Sequence, residues 1–268
     1  MNHSDSTTPP VRYGRFQSPD GCTFFGVIEG ERVRQLHEAP WLAARATGEI
    51  RRLADLRALC PVLPTKILCV GWNYAEHARE REKRSPEPIF FLKPPSSLAG
   101  PGDAVVLPED SSLVEHEAEL GVVIGARARH VPPARALDYV LGYTCVADVT
   151  ARDLQRRDGE ATRGKGFDTF CPVGPEIVSG LEPSKLRVTC RVAGVVRQSC
   201  ATSHMLFDVP TLVAHASRIM TLEPGDLLST GTPAGVGPLV AGDELEVAVT
   251  GLSPGQAGVG VLRVRVQA

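Results

Sequence analysis

No stretch of these 268 residues approaches the roughly 18 consecutive apolar side chains that cross a bilayer, so no membrane-spanning helix is expected. The opening, "MNHSDSTTPPVRYG", lacks the charged-then-apolar layout of a secretory signal. Neither sign of charge is in clear excess: 29 Lys and Arg face 31 Asp and Glu, a formal net charge of −2. Without a basic stripe, neither nucleic acid nor a membrane surface is an expected partner, whereas a small acidic metabolite needs only a local positive site. The seven cysteines (Cys22, Cys60, Cys69, Cys145, Cys171, Cys190 and Cys200) are odd in number, scattered and never spaced CxxC. That excludes a disulfide framework and a zinc site, and reads as thiols in a reducing cytoplasm. Nothing marks one of them as a low-pKa nucleophile.

What is present is a chain that is 43% hydrophobic, enough for a sizeable core, punctuated by 22 prolines and 26 glycines that favour many short elements. Residues 11–36 read as strand, turn and strand, with "SPDG" as the turn. Apolar spacing at Trp41, Leu42, Ile50, Leu53, Leu56 and Leu59 predicts a helical stretch over roughly 40–60, and "CPVLPTK" a linker, with a domain boundary near Pro64. Beyond it the pattern is mostly β. Gly-Asp turns precede branched or alternating residues in "PGDAVVL", "PGDLLST" and "AGDELEVAV". Only 134–141 and 208–220 read as helical, the second with Asp208 as its N-cap.

Four clusters carry candidate chemistry. In "VEHEAELGVVIGA", residues two apart on a strand share a face, so Glu117 and Glu119 project together while His116, Ala118 and Leu120 turn away. Two such carboxylates raise one another's pKa and, if buried, demand a counter-charge. The alternative is an exposed strand face. Asp148, interrupting the apolar run "GYTCVADVTARDLQ", supplies a third carboxylate for a hard oxygen site of the kind Mg²⁺ or Mn²⁺ prefers. In "KILCVGWNYAEHARE", i, i+3 spacing puts His77 and Glu80 on one face, a base with its orienting acid or a solvated helical turn. The polar "EREKRSPEP" that follows is a lid or a loop. In "RGKGFDTFCPVGP", Lys165 stands between glycines that allow close backbone approach to a ligand. "STGTPAGVG", 229–237, offers N–H groups and hydroxyls to an anion but lacks the P-loop spacing.

In this order the segments resemble the fumarylacetoacetate hydrolase family over about Lys66 to Leu252, through "VGWNYAEHARE", "FLKPPSSLAGPGD", "EHEAELGVVIG", "DVTARDLQ", "KGFDTFCPVGP" and "TLEPGDLLSTGTPAGVG". The resemblance implies a mostly β, α+β fold: a rolled mixed β-sandwich with short helices over 65–268, preceded by a small N-terminal α/β domain over 1–64, usually dimeric. It implies a divalent metal, Mg²⁺ or Mn²⁺, on Glu117, Glu119 and Asp148. It assigns a His77–Glu80 pair, an active-site Lys165, and contacts to a bound oxo-acid from Gln155 and Thr232. In some members the segment after the pair orders as a lid. Two positions depart from the family pattern: Ala147, where many members have Asn, and Ala161, where an aromatic residue is common.

The activity so implied is metal-dependent chemistry on 2-oxo or 2,4-dioxo carboxylic acids through a metal-bound enolate. Its first form is C–C hydrolysis of an acylpyruvate, with His77 and Glu80 activating water and Lys165 steadying the oxyanion. Decarboxylation of an oxaloacetate-type acid and isomerisation of a hydroxymuconate are the alternatives, followed by a biosynthetic lyase or cyclase. A metal-binding protein without catalysis is the rival from another class. A cytoplasmic homodimer with a small-molecule 2-oxo-carboxylate substrate is expected.

Overall fold

The computed structural model describes residues 9–76 and 85–268. The first five strands are β1 (Arg12–Gln17), β2 (Thr23–Glu29), β3 (Arg32–Leu36), β4 (Ala46–Arg52) and β5 (Arg57–Leu59). There follow β6 (Ile67–Gly71), β7 (Ile89–Lys93), β8 (Leu98–Ala99), β9 (Ala104–Val106), β10 (Val114–His116), β11 (Ala118–Ile124), β12 (Val140–Ala147), β13 (Thr150–Ala151) and β14 (Cys171–Val178). The last are β15 (Leu186–Val192), β16 (Val195–Ala201), β17 (Leu227–Ser229), β18 (Gly237–Pro238), β19 (Glu244–Gly251) and β20 (Gly260–Gln267). Described α-helices are α1 (Arg152–Asp158), α2 (Ala161–Lys165) and α3 (Val209–Ile219). The protein is mostly β, as expected, and no described helix is long and apolar enough to cross a membrane.

Among the described residues the larger sheet runs β4-β3-β2-β1-β14-β12-β11-β17-β6-β7, mixed because β17 and β6 pair in parallel. A second sheet, β16-β15-β19-β20-β9, packs across it, and a small one pairs β10 with β13 and β18. The core lies between the two large sheets. Leu120 and Val122 of β11 and Cys145 of β12 meet Val188 of β15, Val247 of β19 and Leu262 of β20. Behind them, Val123, Val146, Val173 and Ile177 form a second apolar layer with Ile67 and Leu227. The strands before Pro64 continue the same sheet, since Arg12 and Tyr13 of β1 pair with Val178 and Ile177 of β14.

The helix expected over 40–60 is not there. There are two 3₁₀ turns instead: Pro40–Leu42 ends where Ala43 turns left-handed, and Leu53–Asp55 links the extended β4 and β5. Residues 46–52 have a waiting partner in β3, which sets Val33 opposite Arg51 and Arg34 opposite Ile50. Gly48, at φ +93°, also departs from helical backbone. At 133–139 the turn is 3₁₀ and hands over to β12 at Val140. The expectation for α3 holds: Asp208 accepts from the Thr211 N–H at 2.9 Å, and Val209, Leu212, Val213 and Ala216 are buried. Two helices went unread, α1 and α2, of seven and five residues. Such short, polar segments show no apolar period to read.

Candidate active site

β11 runs antiparallel to β12 with Ala118 opposite Ala147, and the Asp148 N–H donates to the Glu117 carbonyl at 2.8 Å. That register ends β12 beside the ExE segment and delivers Asp148 next to Glu117. The three carboxylates come together: ligand atoms of Glu117, Glu119 and Asp148 all lie within 4.8 Å of one another, and all three residues are buried. His116, Ala118 and Leu120 face the other way. His116 meets Gln198 through Nδ1 at 3.1 Å, while Ala118 and Leu120 enter the core.

Buried charge on this scale needs partners, and the chain supplies three cations. Lys165 donates to Glu117 Oε2 at 2.8 Å, Asp148 Oδ2 at 2.5 Å and Thr150 Oγ1 at 2.8 Å. Lys93, wholly buried, donates to Asp148 Oδ1 at 2.6 Å and the Val149 carbonyl at 3.1 Å. Arg152 donates to Glu115 Oε2 at 2.6 Å, to Glu117 Oε1, and to Gln155 Oε1 at 2.6 Å. Glu119 instead accepts at Oε2 from Ser229 Oγ at 2.5 Å and the Gly231 N–H at 2.8 Å. Four carboxylates thus face three cations, an excess of one negative charge when all four are ionised.

The two glutamates therefore do not raise one another symmetrically. Burial alone would raise Glu117, but Lys165 and Arg152 outweigh it and hold the carboxyl well below the usual range. Glu119 has no cation at hydrogen-bonding distance among the described residues. Burial first, then the charges of Asp148 and Glu117, push it up to about 8. Burial would lower Lys165, yet Asp148 and Glu117 keep it above the ordinary lysine range and therefore protonated.

A cavity of about 460 Å³ opens over this cluster, lined in part by Glu117, Glu119, Lys165, Arg152, Gln155 and Thr232. Gln155 sits on α1 and lines the cavity, its carbonyl oxygen accepting from Arg152. Thr232 is committed inside the protein: its hydroxyl donates to the Ala118 carbonyl at 2.9 Å and accepts from Gln198 at 2.7 Å. His77 and Glu80 lie outside the described residues, as does most of the segment 80–88.

Gly164, beside Lys165, serves packing rather than ligand approach. A Cβ on Gly164 would stand 2.7 Å from the Gln155 Cβ and 3.0 Å from the Ala151 carbonyl, so its absence lets α2 close on α1 and drives Lys165 into the cluster. The Ser/Thr/Gly loop does serve an anion, but an internal one, Glu119. Gly231 has φ +93°, and a Cβ there would meet the Asn73 Cβ at 2.8 Å, so glycine is required where the loop passes Asn73. Sequence reasoning missed Lys93 and Arg152, although both stand in the quoted "FLKPPSS" and "DVTARDLQ". The signal for them was the uncompensated charge of the carboxylates.

With the geometry in place, comparison with known proteins is informative. Residues 66–267 match the family model described as fumarylacetoacetate (FAA) hydrolase C-terminal, and residues 11–61 match the Rv2993c-like, N-terminal model. The chain is 44% identical over 244 residues to the mitochondrial oxaloacetate tautomerase FAHD2B of Homo sapiens, covering 88% of this chain and 73% of that protein. It superposes on a 5-carboxymethyl-2-hydroxymuconate delta-isomerase from Mycobacterium smegmatis with a TM-score of 0.88 and 43% identity, over 96% of this chain and 99% of the other. It is also similar to the maleylpyruvate hydrolase of Sphingobium sp. SYK-6, solved with manganese(II) and pyruvate, at TM-score 0.76 and 31% identity over 96% and 98% of the two chains.

Proposed function

Since the chain belongs to the fumarylacetoacetate hydrolase family, we propose that it is an enzyme of 2-oxo carboxylic acids, moving a proton at the carbon next to the keto group as a tautomerase or isomerase. The observation that carries this reading is the buried trio Glu117, Glu119 and Asp148 beneath an open cavity, with Lys165 against two of its members. The donor set is all oxygen, buried and one negative charge in excess, which fits Mg²⁺ or Mn²⁺ held by these three side chains. When bound, the cation would act as Lewis acid and template for a 2-oxo carboxylate. Its two charges would turn the excess to one positive, an environment that attracts an anion instead of repelling it.

The chain's own residues do the remaining work. Lys165 contributes a fixed positive charge beside the cavity. Its three N–H donors already have three acceptors, so any bond to a substrate oxygen exchanges one of these. Arg152 locks Glu117 and Gln155 together, presenting the Gln155 amide as a donor to the acid. His77, oriented by Glu80, is the proposed proton carrier. Tautomerase or isomerase takes precedence over the expected C–C hydrolysis because the 44% and 43% identical relatives bear those names. Hydrolysis is the second reading, supported by the hydrolase with manganese and pyruvate.

The test is to load metal-stripped protein with Mn²⁺ and follow two reactions: decay of enol absorbance for oxaloacetate, and pyruvate release from acetylpyruvate. Cation-dependent enol–keto interconversion with little pyruvate release is the expected result. Dominant pyruvate release would hand the activity to the hydrolase reading. Stoichiometric Mn²⁺ retained by both Glu119→Ala and Asp148→Ala would remove the cation site and the proposal with it.

A further inference from the structure

The cavity over the carboxylates is not isolated. A second groove of about 1040 Å³ lies against it, and Phe90, Phe91, Glu160 and Ala161 line both. Three of those side chains are large. Ala161, in the first turn of α2, contributes only a methyl at the place where the two spaces adjoin. The walls beyond it are largely apolar, including Leu68, Pro94, Phe167 and Met220. Its cations already have carboxylate partners: Lys66 with Asp226, Lys93 with Asp148 and Arg163 with Asp158. The first cavity is lined by Arg152, Arg156 and Lys165 together with Glu117 and Glu119, two of the three carboxylates proposed above to hold the cation.

The two spaces sort the parts of a ligand by chemistry. A carboxylate and its neighbouring keto oxygen belong with the cations and the carboxylate trio. What extends past Ala161 meets hydrocarbon walls, and meets Glu160 on the way, so a second negative charge there is disfavoured. We propose that the groove is the distal subsite of this enzyme, and that its substrate is a 2-oxo or 2,4-dioxo acid bearing an uncharged, bulky apolar tail, aryl or branched alkyl, that passes Ala161. This rests on the assignment of the first cavity to a 2-oxo acid. Ala161 is the specificity-determining residue: it touches the tail and sets the width of the passage.

Calorimetric titration of the manganese-loaded protein with benzoylpyruvate, acetylpyruvate and oxalate tests it. Burial of a phenyl group in place of a methyl should tighten binding of benzoylpyruvate about 10- to 100-fold over acetylpyruvate. Ala161→Trp should remove most of that preference and Ala161→Leu part of it. Oxalate, which has no tail, reports whether each variant still forms the head site. Equal affinities for the two acids in the wild-type protein overturn the subsite, and so does a preference that survives Ala161→Trp in a variant that binds oxalate. A groove filled by a second copy of this chain would show that same equality. Failure of oxalate itself to bind the wild-type manganese form overturns the 2-oxo-acid assignment and the subsite together, an outcome distinct from oxalate binding without tail preference.

Discussion

Two buried glutamates in different parts of this molecule each face an arginine, and the protein holds them in opposite directions. Glu117, 6% exposed at the candidate site, is kept below its usual range. Glu176, 2% exposed where β14 meets β1, is kept above it. Arg12 reaches Glu176 with two hydrogen bonds, at 2.8 and 2.5 Å, so the seam does not lack contact. It lacks depth of charge. Arg12 has half its side chain in water, where its field is screened, while Glu117 has two cations, Arg152 and Lys165, both almost fully buried. Burial penalises a carboxylate in either place, and only several desolvated cations reverse the penalty. The seam tolerates a charge. The site is built to keep one.

Removing a cation should break the comparison most visibly. Lys165→Met leaves Glu117 and Asp148 each one partner short in a buried setting, and should cost about 3–5 kcal/mol in the metal-stripped protein. Arg12→Met should cost about 1 kcal/mol or less, because its pair is half hydrated and burial already opposes the charge on Glu176. Urea unfolding with chelator present compares them, and equal losses would mean that the two regions do not differ as described. A smaller effect is expected at Lys93, which touches Asp148 from behind and fixes its orientation. Lys93→Met should weaken Mn²⁺ binding roughly 10- to 100-fold, the scale for partners of metal ligands. Titration followed by electron paramagnetic resonance measures it, and unchanged affinity would reduce Lys93 to a core cation.

How much of this was legible in the sequence follows from how local each signal is. Strand alternation put Glu117 and Glu119 on one face, and Gly-Asp turns marked the starts of β9, β17 and β19, because both signals act within a few residues. The 40–60 segment misled because its partners, β3 for β4 and β1 for β5, lie outside the window read for helical spacing, and pairing won. Gly164 beside Lys165 looked ligand-directed, yet the neighbour it accommodates is α1, itself too short to announce. Lys93 and Arg152 were invisible as partners because 55 and 35 residues separate them from Asp148 and Glu117. Only a demand for charge balance could have sent a reader looking for them.

The smallest expected effect sharpens the comparison from the seam's side. The Glu176 carboxyl binds its proton more tightly in the folded chain than at its ordinary value of 4.5. Between those two values the native state holds more protons than the unfolded state, so stability falls as pH rises. This contribution is present in full below about 4.5 and is lost as pH climbs through the folded value. Glu176→Gln keeps the shape and cannot titrate. Unfolding free energies of wild type and variant, measured from about pH 4 to about pH 8, isolate the group as their difference. That difference should move in the variant's favour as pH rises and then level off. A difference moving the other way would show that Arg12 alone holds Glu176 charged, and that the number of buried cations is not what separates the seam from the site.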